Sequence, residues 1–131
     1  MTEIFVDTFF WLAALNPRDP FHLQVIQTPK PPRAVTTRAV QIEVLDALIA
    51  PPFRSLAAHF WEATNQDADL CIIALEEPLL QQAAVLYKKY SDKAWSLTDC
   101  ISFVTMRERG ITEALTGDHH FEQAGFRIHF K

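Results

Sequence analysis

The chain alternates between short apolar runs of strand length and longer segments whose apolar residues recur at helical spacing. Residues 3–7, EIFVD, form a β-branched and aromatic run that ends in an acid. The apolar stretch TFFWLAALN, which follows at once, has the length of a helix. This opening predicts a strand that leads directly into a helix.

The same alternation continues along the chain, with proline and glycine marking the ends of the segments. The pattern predicts further strands at 34–37, at 68–75, in ITEALTGD to about Thr116, and in FRIHF. It predicts helices near 20–27, at 38–50 and 53–65, from Pro78 to about Tyr90, in SLTDCISFVTMRERG up to Gly110, and a short helix or turn in HHFEQAG. The run at 68–75 is continuously apolar, as in a strand covered on both faces. Alternating strands and helices favour a parallel sheet with helices on both faces.

Size and charge narrow the class of protein. With 131 residues, of which 49% are hydrophobic, the chain is expected to form one domain with a sizeable core. Its formal charge of −4 gives no overall positive field for nucleic acid, so any binding of RNA must be local. Only three glycines are present, and no Gly-x-Gly-x-x-Gly or phosphate-binding Gly-Lys-Ser/Thr loop can be written with them.

Cysteine usage and the N-terminus indicate the compartment. Cys71 and Cys100 each lie inside an apolar run, which predicts two reduced, packed thiols. The first residues, MTEIFVDTFFW, contain an acid instead of the basic stretch of a secretory signal, and no apolar run reaches the ~20 residues of a membrane span. We therefore expect a soluble cytoplasmic protein.

Three acids are expected at one edge of the sheet. Asp7 ends the first strand, Asp118 follows the predicted strand EALT, and Asp99 lies in the first turn of its helix. In open parallel sheets, ligands bind beyond the carboxyl ends of the strands. Asp99 reaches that edge if a strand feeds into its helix in the usual way.

Glu43 lies in the middle of a predicted helix. Its neighbours at helical spacing are Ala39, Val40, Asp46 and Ala47, so its face is largely apolar. A carboxylate on such a face is costly unless it is paired, protonated or bound to a cation. Clustered carboxylates raise one another's pKa values, and a hard divalent cation is their natural occupant.

Structural roles compete with this interpretation. Ser96-Leu-Thr-Asp99 matches a helix capping box, and by itself this favours a cap at Asp99 over a ligand. A Gly-Asp turn explains Asp118 about as well as function does. Asp7 has no such turn, and for it the structural and functional interpretations are about even.

Other candidate groups carry weaker signals. His119 and His120 are unsupported as zinc ligands, because neither cysteine lies at metal-site spacing and their loop is expected to be exposed. Lysines at 88, 89 and 93 and arginines at 107 and 109 are consistent with phosphate binding, although a solvated helix face explains them more simply. The aromatic run 9–11 indicates either core or a partner-binding surface.

Three segments resemble a known family. They are IFVDTFFWLAALNPRDPFH, TTRAVQIEVLDAL and DKAWSLTDCISFVTMRERGITEALTGDHHFEQAGF, which together cover about half the chain. In order and separation they are similar to the PIN-domain ribonucleases, particularly the VapC-like toxins of bacterial toxin–antitoxin pairs. The resemblance implies a three-layer α/β/α domain over residues 1–131, with a central, mostly parallel sheet of four to five strands.

The resemblance also assigns chemistry to residues. It places the family's four acids on Asp7, Glu43, Asp99 and Asp118, with Asp46 as the alternative to Glu43. It implies Mg²⁺ or Mn²⁺ held by Asp7, Asp99 and Asp118, and supporting hydroxyls at Thr8, Ser96 and Thr98. The implied activity is RNA hydrolysis that leaves a 5′-phosphate and a 3′-hydroxyl.

The same resemblance implies partners, namely an RNA substrate, a cognate antitoxin and a second copy of the chain in a homodimer. A housekeeping PIN-type nuclease and a non-enzymatic metal-binding or partner-binding α/β module remain alternatives.

Overall fold

The computed structural model describes residues 2–131 as a five-stranded sheet with helices on both sides. The strands are β1 (Ile4–Val6), β2 (Ala34–Thr37), β3 (Leu70–Ile73), β4 (Glu113–Leu115) and β5 (Arg127–Ile128). The helices are α1 (Thr8–Leu15), α2 (His22–Ile26), α3 (Arg38–Ala47), α4 (Arg54–Gln66), α5 (Glu77–Lys89), α6 (Leu97–Arg109) and α7 (His119–Gln123), and a 3₁₀ turn spans Pro51–Phe53.

The sheet has the order β3-β2-β1-β4-β5, and every pairing in it is parallel. The predicted parallel sheet is therefore confirmed. The central strand β1 pairs with β4 in a register that sets Val6 opposite Leu115. The residues that follow, Asp7 and Thr116, consequently emerge side by side at the carboxyl edge of the sheet.

Two hydrophobic clusters cover the two faces of the sheet. Successive residues of a strand point to opposite faces, and Phe5 packs in a cluster with Phe103 of α6, whereas Val6 packs in another with Ala13 of α1. All four side chains are almost fully buried. This arrangement gives the three α/β/α layers expected from the resemblance.

Local sequence signals explain several helix ends. Thr37 caps α3, because its hydroxyl accepts a 3.1 Å hydrogen bond from the backbone N–H of Val40. Gly110 ends α6 in the left-handed conformation, with φ of 68°, which costs glycine no steric penalty. Helix α3 ends at Ala47, three residues before the predicted limit.

Strand β3 differs from its prediction. It lies at the edge of the sheet, is only partly buried, and exposes Cys71. The expectation of a strand covered on both faces was therefore wrong, as was that of a packed thiol at Cys71. Cys100, in α6, is buried as predicted. An apolar run does not reveal whether both neighbouring positions in a sheet are filled.

The approach to α6 also differs from the expectation. The element before it is helix α5, not a strand, and α5 and α6 pack against each other. Asp99 nevertheless lies next to the acids that follow β1 and β4, as described below. Within residues 2–131, no helix combines the length and apolar character that crossing a membrane requires.

Candidate active site

Asp7 lies between β1 and α1 with its side chain turned into the protein. It is 5% exposed, and its carboxylate does not cap α1. Its Oδ2 accepts a 2.9 Å hydrogen bond from Thr116 Oγ1. Burial raises the pKa of Asp7 to about 7; the Thr116 hydrogen bond opposes this rise, and the charges of Asp99 and Glu43 add to it.

Asp99 both caps α6 and faces the acids. It forms a complete capping box with Ser96, in which Ser96 Oγ accepts from the Asp99 N–H at 2.9 Å and Asp99 Oδ2 accepts from the Ser96 N–H at 3.1 Å. The same Oδ2 lies 3.0 Å from His120 Nδ1. Burial raises the pKa of Asp99, and the charge of Asp118 raises it further. Asp99 therefore caps a helix and also faces the other acids, so its structural role does not exclude a chemical one.

Asp118 is the N-cap of α7. Its Oδ1 accepts a 2.9 Å hydrogen bond from the backbone N–H of His120, and its own N–H donates at 3.0 Å to Thr116 Oγ1. Its side chain stays partly exposed. The Gly-Asp turn considered from the sequence is therefore a helix cap whose acid still faces the pocket.

Glu43 faces the same pocket from α3. Its Oε1 accepts a 2.5 Å hydrogen bond from Thr8 Oγ1, across 35 positions of sequence. Asp46, the alternative helical acid, is exposed and lies outside the pocket lining. Glu43 therefore lines the pocket and Asp46 does not, although the two residues lie only three positions apart on α3.

Together the four acids line one open pocket of about 460 Å³ at the carboxyl edge of the sheet. The other lining residues are Thr8, Phe9, Gly117, His119 and His120. We refer to this site as the acidic pocket.

The donor atoms fit a divalent cation. Ligand atoms of Asp99, Asp118 and His120 all lie within 4.8 Å of one another. Asp7 is not part of this tight group, although the family resemblance implies that it shares a metal with Asp99 and Asp118. A buried acid with a raised pKa next to further carboxylates is stabilised by positive charge, so the site suits a cation that prefers oxygen and accepts one imidazole nitrogen.

The sequence did not predict the contacts that two residues, Thr116 and His120, make with the acids. Thr116 is fully buried and bridges Asp7 and Asp118 through one hydroxyl. His120, set aside as an exposed loop residue, is half-buried at the start of α7, with Nδ1 3.3 Å from Asp118 Oδ1. A sequence signal for both residues was present. Thr116 and His120 each lie two positions from Asp118, so both are close to Asp118 if Asp118 caps a helix.

The expected supporting hydroxyls divide into two groups. Thr8 and Ser96 hydrogen-bond to Glu43 and Asp99, as described above. Thr98 makes no side-chain hydrogen bond to an acid within residues 2–131; its carbonyl accepts from Ser102 Oγ at 3.1 Å. The contacts therefore support Thr8 and Ser96, but not Thr98.

Comparison with known proteins identifies the family. The sequence model of the PIN domain family matches residues 4–127, which is almost the whole chain. The chain belongs to the PIN-domain family. The five-stranded parallel sheet and the flanking helices described above are thus those of a PIN domain.

Individual relatives agree with this assignment. This PIN domain is 30% identical over 125 residues to the 23S rRNA-specific endonuclease VapC20 of Mycobacterium tuberculosis, a match that covers 94% of this chain and 95% of that protein. The crystal structure of that protein, described as a sarcin–ricin loop cleaving toxin, superposes with a TM-score of 0.86 over the same shares of the two chains.

Two more distant structures show the same fold. They are FitAcB from Neisseria gonorrhoeae, with a TM-score of 0.66 and 16% identity over 98% of this chain and 96% of that one, and VapBC-1 from nontypeable Haemophilus influenzae, with a TM-score of 0.65 and 12% identity over 98% of each. At these identities the likeness concerns the arrangement of strands and helices alone.

Proposed function

We propose that this PIN domain is a metal-dependent endoribonuclease that acts as the toxin of a toxin–antitoxin pair. The observation that carries the proposal is the acidic pocket, in which four carboxylates from four separate segments converge. Support comes from VapC20, a named endonuclease and toxin that this chain matches over 94% of its length at 30% identity.

Each acid has a distinct task in the proposal. Asp99 and Asp118 would hold Mg²⁺ or Mn²⁺, with His120 as a neighbouring nitrogen donor. Asp7, whose carboxylate is oriented by the Thr116 hydroxyl, would add negative charge at the buried end of the pocket. When bound, the cation supplies positive charge that acidifies water and neutralises the phosphate.

Glu43 and Thr8 act on the other side of the pocket. The Thr8 hydroxyl donates to Glu43 Oε1, which fixes the carboxylate and leaves its second oxygen to accept a hydrogen bond from an attacking water. In-line attack on the phosphorus breaks the bond to the 3′-oxygen. The products would be a 5′-phosphate and a 3′-hydroxyl.

The substrate we propose is RNA, and ribosomal RNA is the first candidate, because VapC20 is specific for 23S rRNA. The proposed partners are a cognate antitoxin that covers the acidic pocket and a second copy of the chain. Co-expression with the product of the adjacent small gene should then relieve growth arrest, and light scattering of the purified chain should give the mass of a dimer.

The decisive experiment is cleavage of intact ribosomes and of varied RNAs with Mn²⁺, with Mg²⁺ and with EDTA. We expect EDTA-sensitive cleavage that is lost in Asp7→Asn and in Asp99→Asn. Because Asp99 also caps α6, its variant needs a thermal unfolding control; losing a cap costs ~0.5–2 kcal/mol. Metal-dependent cleavage by a folded Asp7→Asn protein would refute the proposed site.

Other results would point to the alternatives. Cleavage without growth arrest or antitoxin binding would indicate a housekeeping nuclease. Metal binding without cleavage of any RNA would indicate a non-enzymatic binding module.

A further inference from the structure

A second groove lies beside the acidic pocket, where helix α5 ends and the chain turns into α6. It has a volume of about 610 Å³, and its lining includes Tyr87, Lys88, Ser91, Lys93, Trp95 and Ser96. We call it the lysine groove.

The lysine groove concentrates positive charge in an acidic protein. The chain as a whole carries −4, yet residues 87–93 contain three lysines and a single acid, Asp92. Among residues 2–131, no carboxylate lies within salt-bridge distance of Lys88 or Lys89, and Lys93 contacts only its exposed neighbour Asp92, at 3.5 Å. These charges therefore remain available to an anionic ligand.

Several basic residues elsewhere in the protein are ion-paired. Arg109 pairs with Glu3 at 2.7 Å, Lys131 pairs with Glu122 at 3.0 Å, and Lys30 lies 3.1 Å from Asp67. The lysines of the groove thus differ from these three side chains, whose charges are balanced by acidic partners.

Aromatic residues form part of the groove. Tyr87 is 49% exposed, so one ring is accessible for stacking. Trp95 is buried beneath the groove, packs on Tyr90 with ring centroids 4.9 Å apart, and donates from Nε1 to Gln123 Oε1 at 2.9 Å. A rigid floor, lysines and an accessible ring are the combination that binds single-stranded nucleic acid without reading its sequence.

The lysine groove and the acidic pocket meet at one pair of residues. Ser96 lines the groove, Asp99 lines the pocket, and the two are joined by the reciprocal hydrogen bonds of the capping box. A strand whose scissile phosphate lies at Asp99 therefore has its neighbouring nucleotides next to Ser96.

We propose that the lysine groove is the binding subsite for the single-stranded RNA segment adjacent to the scissile phosphate. Lys88 and Lys93 contact its phosphates, and Tyr87 stacks on a base. The subsite rests on the proposed function for its substrate, but it acts in binding, so it can be measured without cleavage.

Binding is measured by fluorescence anisotropy with a labelled single-stranded RNA oligonucleotide, in EDTA, over a series of salt concentrations. The Asp7→Asn protein serves as the parent, so that the RNA stays intact. For a Lys88→Ala/Lys93→Ala variant we expect Kd at about 0.1 M salt to rise at least about tenfold, and the slope of log K against log salt to fall by about 1.4, since each phosphate contact on a single strand contributes ~0.7. Tyr87→Ala should weaken binding about fivefold or more, with little change in slope.

A matched control removes the same charge elsewhere. Lys30→Ala/Arg33→Ala takes two positive charges from the loop before β2, at the amino ends of the strands and away from the acidic pocket. It should leave the slope of log K against log salt within error. If it lowers the slope as much as the groove variant does, only net charge matters and the subsite is refuted. An unchanged Kd in the groove variant, or no binding by the parent at any salt, also refutes it.

The two proposals fail separately. Cleavage with an unchanged KM in the Lys88→Ala/Lys93→Ala variant would leave the nuclease standing and overturn the subsite. Lysine-dependent RNA binding by a protein that cleaves nothing would leave the subsite standing and overturn the nuclease. If both are correct, the variant raises KM with kcat nearly unchanged, because the subsite holds substrate and transition state alike.

Discussion

Thr116 Oγ1 donates a 2.9 Å hydrogen bond to Asp7 Oδ2, between residues 109 positions apart in the chain. The same hydroxyl accepts the backbone N–H of Asp118 at 3.0 Å. One buried threonine therefore sets both the orientation of the most buried acid and the start of the loop that carries another.

Removing this hydroxyl should weaken cation binding. In Thr116→Val the shape is kept, but Asp7 loses the hydrogen bond that lowers its pKa, so more of it is protonated at neutral pH. We expect Mn²⁺ affinity, measured by calorimetry at pH 7, to fall by about tenfold and to recover partly at pH 8.5. Thr116→Ser, which keeps the hydroxyl, is the control, and equal affinities in all three proteins would contradict this role.

Asp7 should make the metal-free protein less stable as pH rises. Its pKa is raised from 3.8 to about 7 on folding, so between these values the native state binds more protons than the unfolded state. Its contribution to the free energy of unfolding is complete below about pH 4 and is lost as the pH rises to about 7. The total loss is at most about 4 kcal/mol. Urea unfolding in EDTA at pH 5 to 8 measures the loss.

The comparison with Asp7→Asn isolates this group from the other acids. We expect the free energy of unfolding of the variant to change less with pH than that of the parent, and to be higher than that of the parent at pH 8. Mn²⁺ should stabilise the parent far more than the variant. Parallel profiles for the two metal-free proteins would show that Asp7 does not titrate in this range.

Glu43 and Asp46 form a natural matched pair on α3. Glu43 faces the acidic pocket and accepts from Thr8, whereas Asp46 is exposed outside it. Glu43→Gln should lower kcat/KM for RNA by about 10–100-fold or more, and Asp46→Asn should leave it within twofold. The opposite ranking in a cleavage assay would transfer the role to Asp46.

Gly117 separates the two functional positions 116 and 118 and has no room for a side chain. A Cβ there would lie 2.5 Å from the Phe9 ring, which is itself held by Phe21 and Phe130 at centroid distances of 5.1 and 6.1 Å. Gly117→Ala should therefore cost ~1–3 kcal/mol in unfolding free energy and reduce cation affinity by displacing Asp118.

Phe9→Leu combined with Gly117→Ala tests that explanation. A smaller side chain opposite the new methyl group should restore part of the affinity. If Gly117→Ala alone unfolds at the parent's urea midpoint, the close contact does not constrain the loop.

Local sequence signals account for much of the fold. The capping box at Ser96 and Asp99, the glycine stop at Gly110 and the strand-to-helix junction at Asp7 all appear as predicted, because each depends on neighbours within a few residues. The edge position of β3 and the exposure of Cys71 were missed, since sheet order depends on contacts far along the chain.

Family resemblance, not periodicity, supplied Glu43 and the RNA substrate. The resemblance left Asp46 open as the alternative to Glu43, and the residue pattern by itself gave no support to His120. The structure brings Glu43 and His120 to the acidic pocket through α3 and α7, and leaves Thr98 without a contact to an acid.

The sequence by itself determined which acids follow strands or begin helices, and it determined their local caps, because those features are fixed by hydrogen bonds between near neighbours. Only the tertiary structure decided which of them meet. The register that sets Val6 opposite Leu115 brings Thr116 to Asp7, and packing of α3 against α1 brings Glu43 to Thr8. Burial at that meeting point, which no local pattern encodes, raises the pKa of Asp7 and makes positive charge favourable beside the carboxylates.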